Sequence, residues 1–482
     1  MDRGPHTLII TALLFICCGV WSSVLSAQEV IISPDINIKL DKKYVVLGKK
    51  KDHILLFRDQ VKTQNIDVFD ENLKYKYTRE VVLNRIAPNI IAVVSHRNSA
   101  SIIYSSSGKD SLELHQYVIN DLGEMQDTVV LGTYPNKRFK GNFRYSYSED
   151  NNSIAVFTKG KESSLNLFMI DLNAQKISWE SEIKSYEPEP EYKFKDMVIS
   201  NEQEVIMLYE RWNNRTKAKS HSILIKHISE GMSSAYEAEI NMPQYLSKDI
   251  HLTYDDVNEA ILVIGLYTEA NRSSALGYFY YSTPLSSMSA DGEVVYQPFD
   301  QLFVQTVNGK RRGVNNTLDY YFIKDVVFQQ DGSFLWIGEM YKQYIRRTPS
   351  PYNRAGDGLT GFIDHYTEDV IVVSVDKSHT ELWKNVIYKK QFSQDDDAIY
   401  SSYGLMKTPS RFQIIFNDEV KKNNTASSYS LDPIGNMVRK TVLNTEYENL
   451  RLRFEDAEQI SSNSILVVSE TSGALNLVKI TF

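Results

Sequence analysis

The segment NIDVFDENLKYKYTREVVL (65–83) sets the pattern for the whole chain: a short strand, a polar turn and a second strand. The same pattern returns in SLELHQYVINDLGEMQDTVVL (111–131), SLNLFMIDLNAQKISWESEI (164–183), SHSILIKHISEGMSSAYEAEI (220–240), ALGYFYYSTPLSSMSADGEVVYQPF (275–299), EDVIVVSVDKSHTELWKNVI (368–387), ASSYSLDPIGNMVRKTVL (426–443) and the truncated GALNLVKITF (473–482). The starts lie 46 to 58 residues apart, except for one interval of 93. A strand-only repeat of about this period is typical of a β-propeller.

The repeats predict an all-β propeller of eight four-stranded blades, with seven as the alternative if one unit is an embellishment. Within the first unit, 44–48, 53–58, 65–70 and 77–83 are the expected strands A to D. Their weak alternation of polar and apolar residues suits strands covered on both faces by neighbouring blades. No stretch of the chain after residue 27 has the pattern of an amphipathic helix. The chain length does not demand a second domain, so we expect a single propeller domain over residues 28–482.

The last repeat ends at Phe482, directly after its third strand, and so lacks a fourth. The segment QEVIISPDINIKL (28–40) offers the missing strand. Closing a ring in this way removes exposed sheet edges. We therefore expect residues near Val30–Ile32 to pair with Leu475–Ile480.

Residues 1–27 have the form of a secretory signal peptide, with Arg3, an apolar run from Leu8 to Trp21, and small residues up to Ala27. A retained membrane anchor is the alternative. Both cysteines, Cys17 and Cys18, lie in this segment, so the exported chain is expected to have no disulfide and no thiolate site. The expected location is periplasmic or extracellular.

The composition excludes some classes of function. The net charge of −8 argues against nucleic-acid binding, which needs a basic surface. The nine histidines show no metal-ligand spacing, and no catalytic serine motif occurs, so neither a metal nor a cofactor is expected. Since no second long apolar run follows the signal peptide, we expect no membrane span.

Two insertions account for the long interval. Residues 298–320 join strand D of blade 5 to strand A of blade 6, and residues 342–368 join strands B and C of blade 6. Because D–A and B–C connections emerge on the same face of a propeller, the insertions should be neighbours. A basic patch on an acidic protein could attract an anionic partner. The two insertions carry seven basic residues: Lys310, Arg311, Arg312, Lys342, Arg346, Arg347 and Arg354.

Polar and aromatic residues gather at strand ends between 338 and 418 and should approach the same face. Convergent polar groups on one face of a ring are a default ligand-site hypothesis, with hydrogen bonding between blades as the alternative. The predicted ligand-binding residues are Arg311, Arg312, Glu339, Tyr341, Arg346, Arg347, Gln391 and Asp418.

The chain resembles a family of uncharacterised secreted propellers common in Bacteroidetes, at WIGEMY (336–341), EDVIVVSVD (368–376), LWKNVIYKKQFSQDDDAIYSSY (382–403) and IIFND (414–418). That family has no assigned chemistry. More loosely, IDLNAQKISW (170–179) and VSVDKSHTELW (373–383) are similar to the Asp-turn-Trp repeat of quinoprotein-type propellers. The redox activity of that group is not implied, because its vicinal disulfide needs cysteines that the exported chain lacks.

These observations favour an exported, non-enzymatic binding or scaffold propeller that engages a protein or glycan at the cell envelope. The alternative is a polysaccharide hydrolase or lyase that uses paired carboxylates, such as Glu339 and Asp418, as acid and base.

Overall fold

The computed structural model describes residues 29–83, 88–139, 141–160, 164–183, 192–211, 221–230, 236–269, 274–289, 293–309, 317–347, 361–408, 410–418, 420, 425–444, 450–471 and 473–482. Within them, eight antiparallel sheets follow one another around a ring. The chain is a β-propeller with eight four-stranded blades, as the repeats predict. The proposed signal peptide, with Cys17 and Cys18, lies outside the described residues.

The first four blades follow two short N-terminal strands, β1 (Glu29–Ile32) and β2 (Ile36–Asn37). Blade 1 contains β3 (Asp41–Lys50), β4 (His53–Gln60), β5 (Gln64–Asp70) and β6 (Tyr75–Val81). Blade 2 contains β7 (Asn89–Ser95), β8 (Ala100–Ser107), β9 (Ser111–Ile119) and β10 (Met125–Pro135). Blade 3 contains β11 (Arg144–Tyr147), β12 (Ser153–Lys159), β13 (Leu165–Asp171) and β14 (Lys176–Ile183). Blade 4 contains β15 (Tyr192–Ile199), β16 (Val205–Arg211), β17 (Ser222–Ile228) and β18 (Tyr236–Asn241).

The second half of the ring repeats this order. Blade 5 contains β19 (Leu246–Asp255), β20 (Ala260–Thr268), β21 (Gly277–Pro284) and β22 (Val295–Pro298). Blade 6 contains β23 (Tyr321–Phe328), β24 (Phe334–Arg347), β25 (Gly361–Val375) and β26 (Glu381–Gln394). Blade 7 contains β27 (Gly404–Thr408), β28 (Arg411–Asn417), β29 (Thr425–Leu431) and β30 (Met437–Asn444). Blade 8 contains β31 (Leu452–Ser461), β32 (Ser464–Thr471) and β33 (Ala474–Thr481), and β1 and β2 complete it.

The N-terminal strand closes the ring, which confirms the predicted pairing. Val30 lies opposite Ile480 and Ile36 lies opposite Leu475 in antiparallel register. Between the two short strands, Asn476 donates its side-chain amide to the backbone oxygen of Ser33 over 3.0 Å. The outer edge of β33 is therefore paired along most of its length, as a closed propeller requires.

The core is divided into layers between successive blades. Eight clusters of buried hydrophobic side chains occur in the described residues, and each joins two adjacent sheets. The layer between blades 8 and 1 includes Ile36 from β2 together with Leu56 and Leu477. Both faces of most strands are thus buried, which explains the weak alternation in the sequence.

The first insertion contains a helix, α1 (Gln301–Asn308), so the expectation of no amphipathic helix is wrong. Asp300 caps its N-terminus by accepting a hydrogen bond of 2.8 Å from the backbone N–H of Phe303. Gly309 follows its last residue with φ +70°, a conformation that favours glycine. Phe303 and Val307 are buried in the layer between blades 5 and 6, so tertiary packing stabilises this short helix.

The second insertion consists in part of strand, because β24 and β25 continue through residues 342–347 and 361–368. Strand β26 also continues to Gln394, so Lys390 and Gln391 lie within strand D and not in the connection that follows it. These three strands have 14 to 15 residues each. At about 3.3 Å per residue, they are roughly 20 Å longer than an eight-residue strand. We call residues 341–347, 361–368 and 389–394 the blade 6 extension.

The two insertions meet on one face of the ring, which we call the insertion face. This is the face that carries the D–A and B–C connections. The backbone N–H of Tyr341 donates to the carbonyl oxygen of Tyr320 over 2.9 Å. The Lys342 ammonium lies 4.4 Å from the centre of the Tyr320 ring.

Candidate functional site

The predicted residue Glu339 is the centre of a buried polar cluster between blades 6 and 7. Its carboxylate lies 2.8 Å from the ammonium of Lys389, whose side chain is fully buried. The hydroxyl of Ser402 donates to the same carboxylate over 2.6 Å. A second cation, Lys324 on strand A, lies 3.6 Å away. Glu339 is therefore held by two lysines and a serine.

Gln391 extends this cluster toward blade 7. Its side-chain oxygen accepts hydrogen bonds of 2.8 Å from Lys389 and from the backbone N–H of Ser402. Its side-chain amide donates to the carbonyl oxygen of Asn417 over 2.8 Å. The Asn417 amide in turn donates to the carbonyl oxygens of Tyr400 and Leu452. For Glu339 and Gln391 the structure therefore places the predicted residues in hydrogen bonding between blades, which was the alternative interpretation.

Burial lowers the pKa of Lys389, although the facing carboxylate of Glu339 opposes that effect. For the less buried Lys324, Glu339 and Glu455 outweigh the desolvation and raise the pKa. The carboxylate oxygens of Glu339 are thus already occupied by two ammonium groups and a hydroxyl. This arrangement suits a structural role for Glu339 better than that of a general acid.

Asp418 lies in a neighbouring cleft of about 430 Å³ between blades 6 and 7, which shares Lys389 with the Glu339 cluster. The cleft is lined by Glu368, Asp369, Tyr388, Lys389, Lys390, Asp418 and Arg439. The guanidinium of Arg439 lies 2.7 Å from the Asp418 carboxylate. The hydroxyl of Ser427 donates to the other carboxylate oxygen over 2.6 Å. The second predicted carboxylate is thus also paired with a cation.

Asp369 is the carboxylate of this cleft with a perturbed pKa. Burial raises its pKa to about 6, and the charge of Glu368 adds to the effect. The backbone N–H of Lys389 donates to Asp369 over 3.1 Å and acts in the opposite direction. Sequence reasoning missed this residue because it occupies a β-bulge between Glu368 and Val370, which the pattern of the strand does not reveal.

The raised pKa of Asp369 predicts a pH-dependent contribution to stability. Because the folded-state pKa exceeds the unfolded value of about 3.9, this contribution is fully present below pH 3.9 and is lost as the pH rises through 6. We expect Asp369→Asn, which can still accept the hydrogen bond from Lys389, to stabilise the protein at pH 7. After allowance for solvent screening, the gain is about 1 kcal/mol.

Urea unfolding of Asp369→Asn and the wild type at pH 4 and pH 7 measures this difference. The advantage of the variant should be present at pH 7 and nearly absent at pH 4. An equal effect at both pH values would show that the ionisation of Asp369 does not cause it.

Aromatic side chains line one face of the blade 6 extension. The ring of Tyr344 lies 5.8 Å from that of Tyr366, which lies 5.0 Å from that of Phe392. Lys342 lies between Tyr320 and Tyr344, 4.4 and 4.3 Å from their ring centres. We call Tyr320, Tyr344, Phe362, Tyr366 and Phe392, together with Lys342, the aromatic strip. Tyr320, Tyr344 and Phe362 are 40%, 47% and 45% exposed.

Only part of the predicted basic patch can be placed. Lys310, Arg311, Arg312 and Arg354 lie outside the described residues, as does the side chain of Arg347. Arg346 is exposed, and its guanidinium donates to the buried carboxylate of Asp364 over 2.7 Å. Tyr341 forms a hydrogen bond of 2.9 Å with His365. A role for the patch in partner binding stays a prediction.

Strand A, the inner strand, shares a feature in blades 4, 5 and 6 that sequence reasoning missed. Lys195-Asp196, Lys248-Asp249 and Lys324-Asp325 each occupy a β-bulge near the start of β15, β19 and β23. Each aspartate bonds to the next blade: to the N–H of Leu252, to the N–H of Ile323 and to the hydroxyl of Tyr403. The recurring Lys-Asp pair was the available signal in the sequence.

The lysines of these bulges differ in their partners. Lys195 lies 2.5 Å from Glu210 on strand B, and Lys324 pairs with Glu339 at the equivalent position. Blade 5 has Thr268 at that position, and the ammonium of Lys248 is buried with no hydrogen-bond partner in the described part of the chain. Burial lowers the pKa of Lys248 to about 8. Through their aspartates, the Lys-Asp bulges hydrogen-bond each of blades 4, 5 and 6 to the blade that follows it.

Across the described ranges, no group of three histidine, cysteine or acidic side chains is arranged to hold a metal ion. The same residues include no helix that is long and apolar enough to cross a membrane.

No known protein family and no curated protein sequence matches this chain. Solved structures do resemble it at low identity. An uncharacterised protein from Listeria monocytogenes EGD-e has 11% identity and a TM-score of 0.39, over 81% of this chain and 92% of its own. The β-propeller domain of the Trilobed protease from Pyrococcus furiosus has 10% identity and a TM-score of 0.34, over 83% and 98%. The Nup133 β-propeller domain of Vanderwaltozyma polyspora has 10% identity and a TM-score of 0.36, over 81% and 99%.

The order of the sheets places the chain among the β-propellers. The resemblances to a secreted Bacteroidetes family and to quinoprotein-type propellers are not supported by these comparisons and stay predictions.

Proposed function

We propose that this chain is an exported, non-enzymatic binding propeller, whose aromatic strip on the insertion face holds a protein or glycan partner at the cell envelope. Export rests on the signal-peptide pattern of residues 1–27. The observation that carries the binding role is the exposure of Tyr320, Tyr344 and Phe362 on a sheet that extends past the ordinary length of a blade.

Exposed aromatic side chains on a rigid sheet suit binding for two physical reasons. They bury a large apolar area on contact, and their few rotatable bonds keep the entropic cost low. The strip is held in place by the three paired strands of the blade 6 extension and by the ring contacts of Tyr366. Lys342 adds a cation whose charge would favour an acidic partner.

The pairing of the carboxylates supports binding over hydrolysis. A polysaccharide hydrolase or lyase needs one carboxyl group that exchanges a proton and a second that acts as base or nucleophile. Glu339 bonds Lys389, and Asp418 bonds Arg439. Neither carboxylate is free to take such a role without losing a cation.

Removal of two exposed rings tests the proposal. We expect Tyr344→Ala with Phe362→Ala to weaken capture of the partner from the native envelope at least tenfold, because exposed aromatic anchors typically contribute about 1–2 kcal/mol each. The measurement is quantitative pull-down with tagged protein, read by mass spectrometry and by carbohydrate analysis.

The control is Tyr75→Ala with Tyr236→Ala, which removes two exposed tyrosines, each 50% exposed, at the C–D turns of blades 1 and 4. These turns lie on the face opposite the insertions. If both double variants capture the same partners as the wild type, the aromatic strip is not the binding surface.

A further inference from the structure

The mouth of the central channel contains a cavity of about 770 Å³, across the axis from the insertions. Inner strands of blades 8, 1, 2 and 3 line it, with the turn between β32 and β33. Its lining includes Lys42, Lys43, Val93, Tyr145 and Tyr147. This site shares no residue with the aromatic strip, so it is independent of the proposed function.

The carboxylates of the cavity are paired with arginines. Asp41 accepts hydrogen bonds of 2.6 and 2.8 Å from the guanidinium of Arg58. Glu470 lies 2.8 Å from Arg453, which also pairs with Asp456. Tyr44 donates its hydroxyl to Glu470 over 2.6 Å. Burial raises the pKa of Tyr44, and this hydrogen bond adds to the effect. Each of these three carboxylates therefore already has a guanidinium partner.

Two lysines and two tyrosines of the cavity lining take no part in these ion pairs. Lys42 and Lys43 are exposed and have no ion-pair partner among the described residues. Tyr145 and Tyr147 are 39% and 54% exposed, and both lie on β11, two residues apart. Because side chains alternate along a strand, these two rings point to the same side, about 7 Å apart.

We propose that this cavity binds an acidic saccharide, with its carboxylates on Lys42 and Lys43 and its sugar rings against Tyr145 and Tyr147. Free ammonium groups at the rim select for negative charge, and paired aromatic faces suit the flat, partly apolar faces of sugar rings. Val45, Val46 and Val93 supply an apolar floor.

An acidic peptide fits this cavity less well. A peptide would most readily add to the free inner edge of a strand. Bulges interrupt that edge in blade 1 at Asp41/Lys43 and Val46/Gly48, and in blade 2 at Ile90/Ala92. A bulge breaks the regular spacing of backbone donors and acceptors that strand addition needs.

Calorimetric titration of the full-length exported chain with tetragalacturonate tests the proposal. The comparison ligands are its methyl-esterified form, which has the same rings without the charge, and tetraglutamate. We expect the tetragalacturonate to bind with a Kd below 1 mM that rises with added salt, and both comparison ligands to bind at least tenfold more weakly.

Variants separate the cavity from general surface charge. Lys42→Ser with Lys43→Ser should weaken binding about tenfold or more, and Tyr147→Ala should weaken it several-fold. The control, Lys62→Ser with Lys176→Ser, removes the same charge from exposed positions outside the cavity and should change nothing. Equal binding of the ester, equal binding of tetraglutamate, equal loss in the control variant, or no binding below 1 mM would each overturn the proposal.

Discussion

Deletion of residues 28–40 from a chain that begins at residue 28 is expected to lower the melting temperature by about 10 °C or more. The deletion removes β1 and β2, so the outer edge of β33 loses its partner. It also removes Val30, Ile32 and Ile36 from the layers on either side of blade 8. Burial of these side chains, less the entropy of ordering the segment, is on the order of 5 kcal/mol. For a protein of this size we take about 2 °C per kcal/mol.

Neighbouring point substitutions provide a matched control for the deletion. Ile36 is 8% exposed and packs in the layer between blades 8 and 1, whereas the next residue, Asn37, is exposed. Ile36→Asp should reproduce much of the destabilisation, and Asn37→Asp, which keeps the side-chain acceptor for Lys39, should not. A deletion variant that melts within 2 °C of the full chain would show that these strands do not close the ring.

Lys389→Met is expected to cost about 3–5 kcal/mol of unfolding free energy, because it leaves the carboxylate of Glu339 buried without its closest cation. Glu339 is 6% exposed and Lys389 is 5% exposed, so water cannot replace the lost partner readily. Lys324 is 3.6 Å away and compensates in part. Urea unfolding of the purified variant measures the loss.

The double variant Lys389→Met with Glu339→Gln separates the ion pair from packing. Neutralising Glu339 removes the unpaired charge, so the double variant should recover at least 1 kcal/mol of the loss. If Lys389→Met unfolds within 1 kcal/mol of the wild type, or if the double variant is the less stable, the pair is not the structural link between blades 6 and 7 that its contacts indicate.

The fold could be predicted because its signal is repeated along the chain. Each repeat gives the same two strands and polar turn, and the truncation of the last copy indicates that an N-terminal strand must complete it. The helix at Gln301–Asn308 was missed because eight residues carry too little periodicity. Its end signals, Asp300 and Gly309, were present. The blade 6 extension was missed because a segment rich in proline and glycine, 348–360, separates its strands.

The candidate site was less predictable because function depends on which side chains meet. The sequence predicts only that Glu339 and Asp418 are acidic residues at strand ends, and in the structure Glu339 lies within β24. Their cationic partners, Lys389 and Arg439, come from other strands, and β-bulges set the register that brings Lys389 to Glu339. The exposed tyrosines of the cavity come from blade 3, whereas its lysines come from blade 1. No local pattern could relate residues about 100 positions apart.

Site-specific photo-crosslinking tests the proposed binding face most directly. Benzoylphenylalanine replaces Tyr344 on the aromatic strip, or Tyr75 or Tyr236 near the opposite face, positions whose side chains are 47%, 50% and 50% exposed. After irradiation in the native envelope, we expect one reproducible crosslinked partner from position 344 and none in common from positions 75 and 236. Equal crosslinking to the same partner from all three positions, or partner crosslinks from 75 and 236 alone, would contradict a partner-binding role for the insertion face.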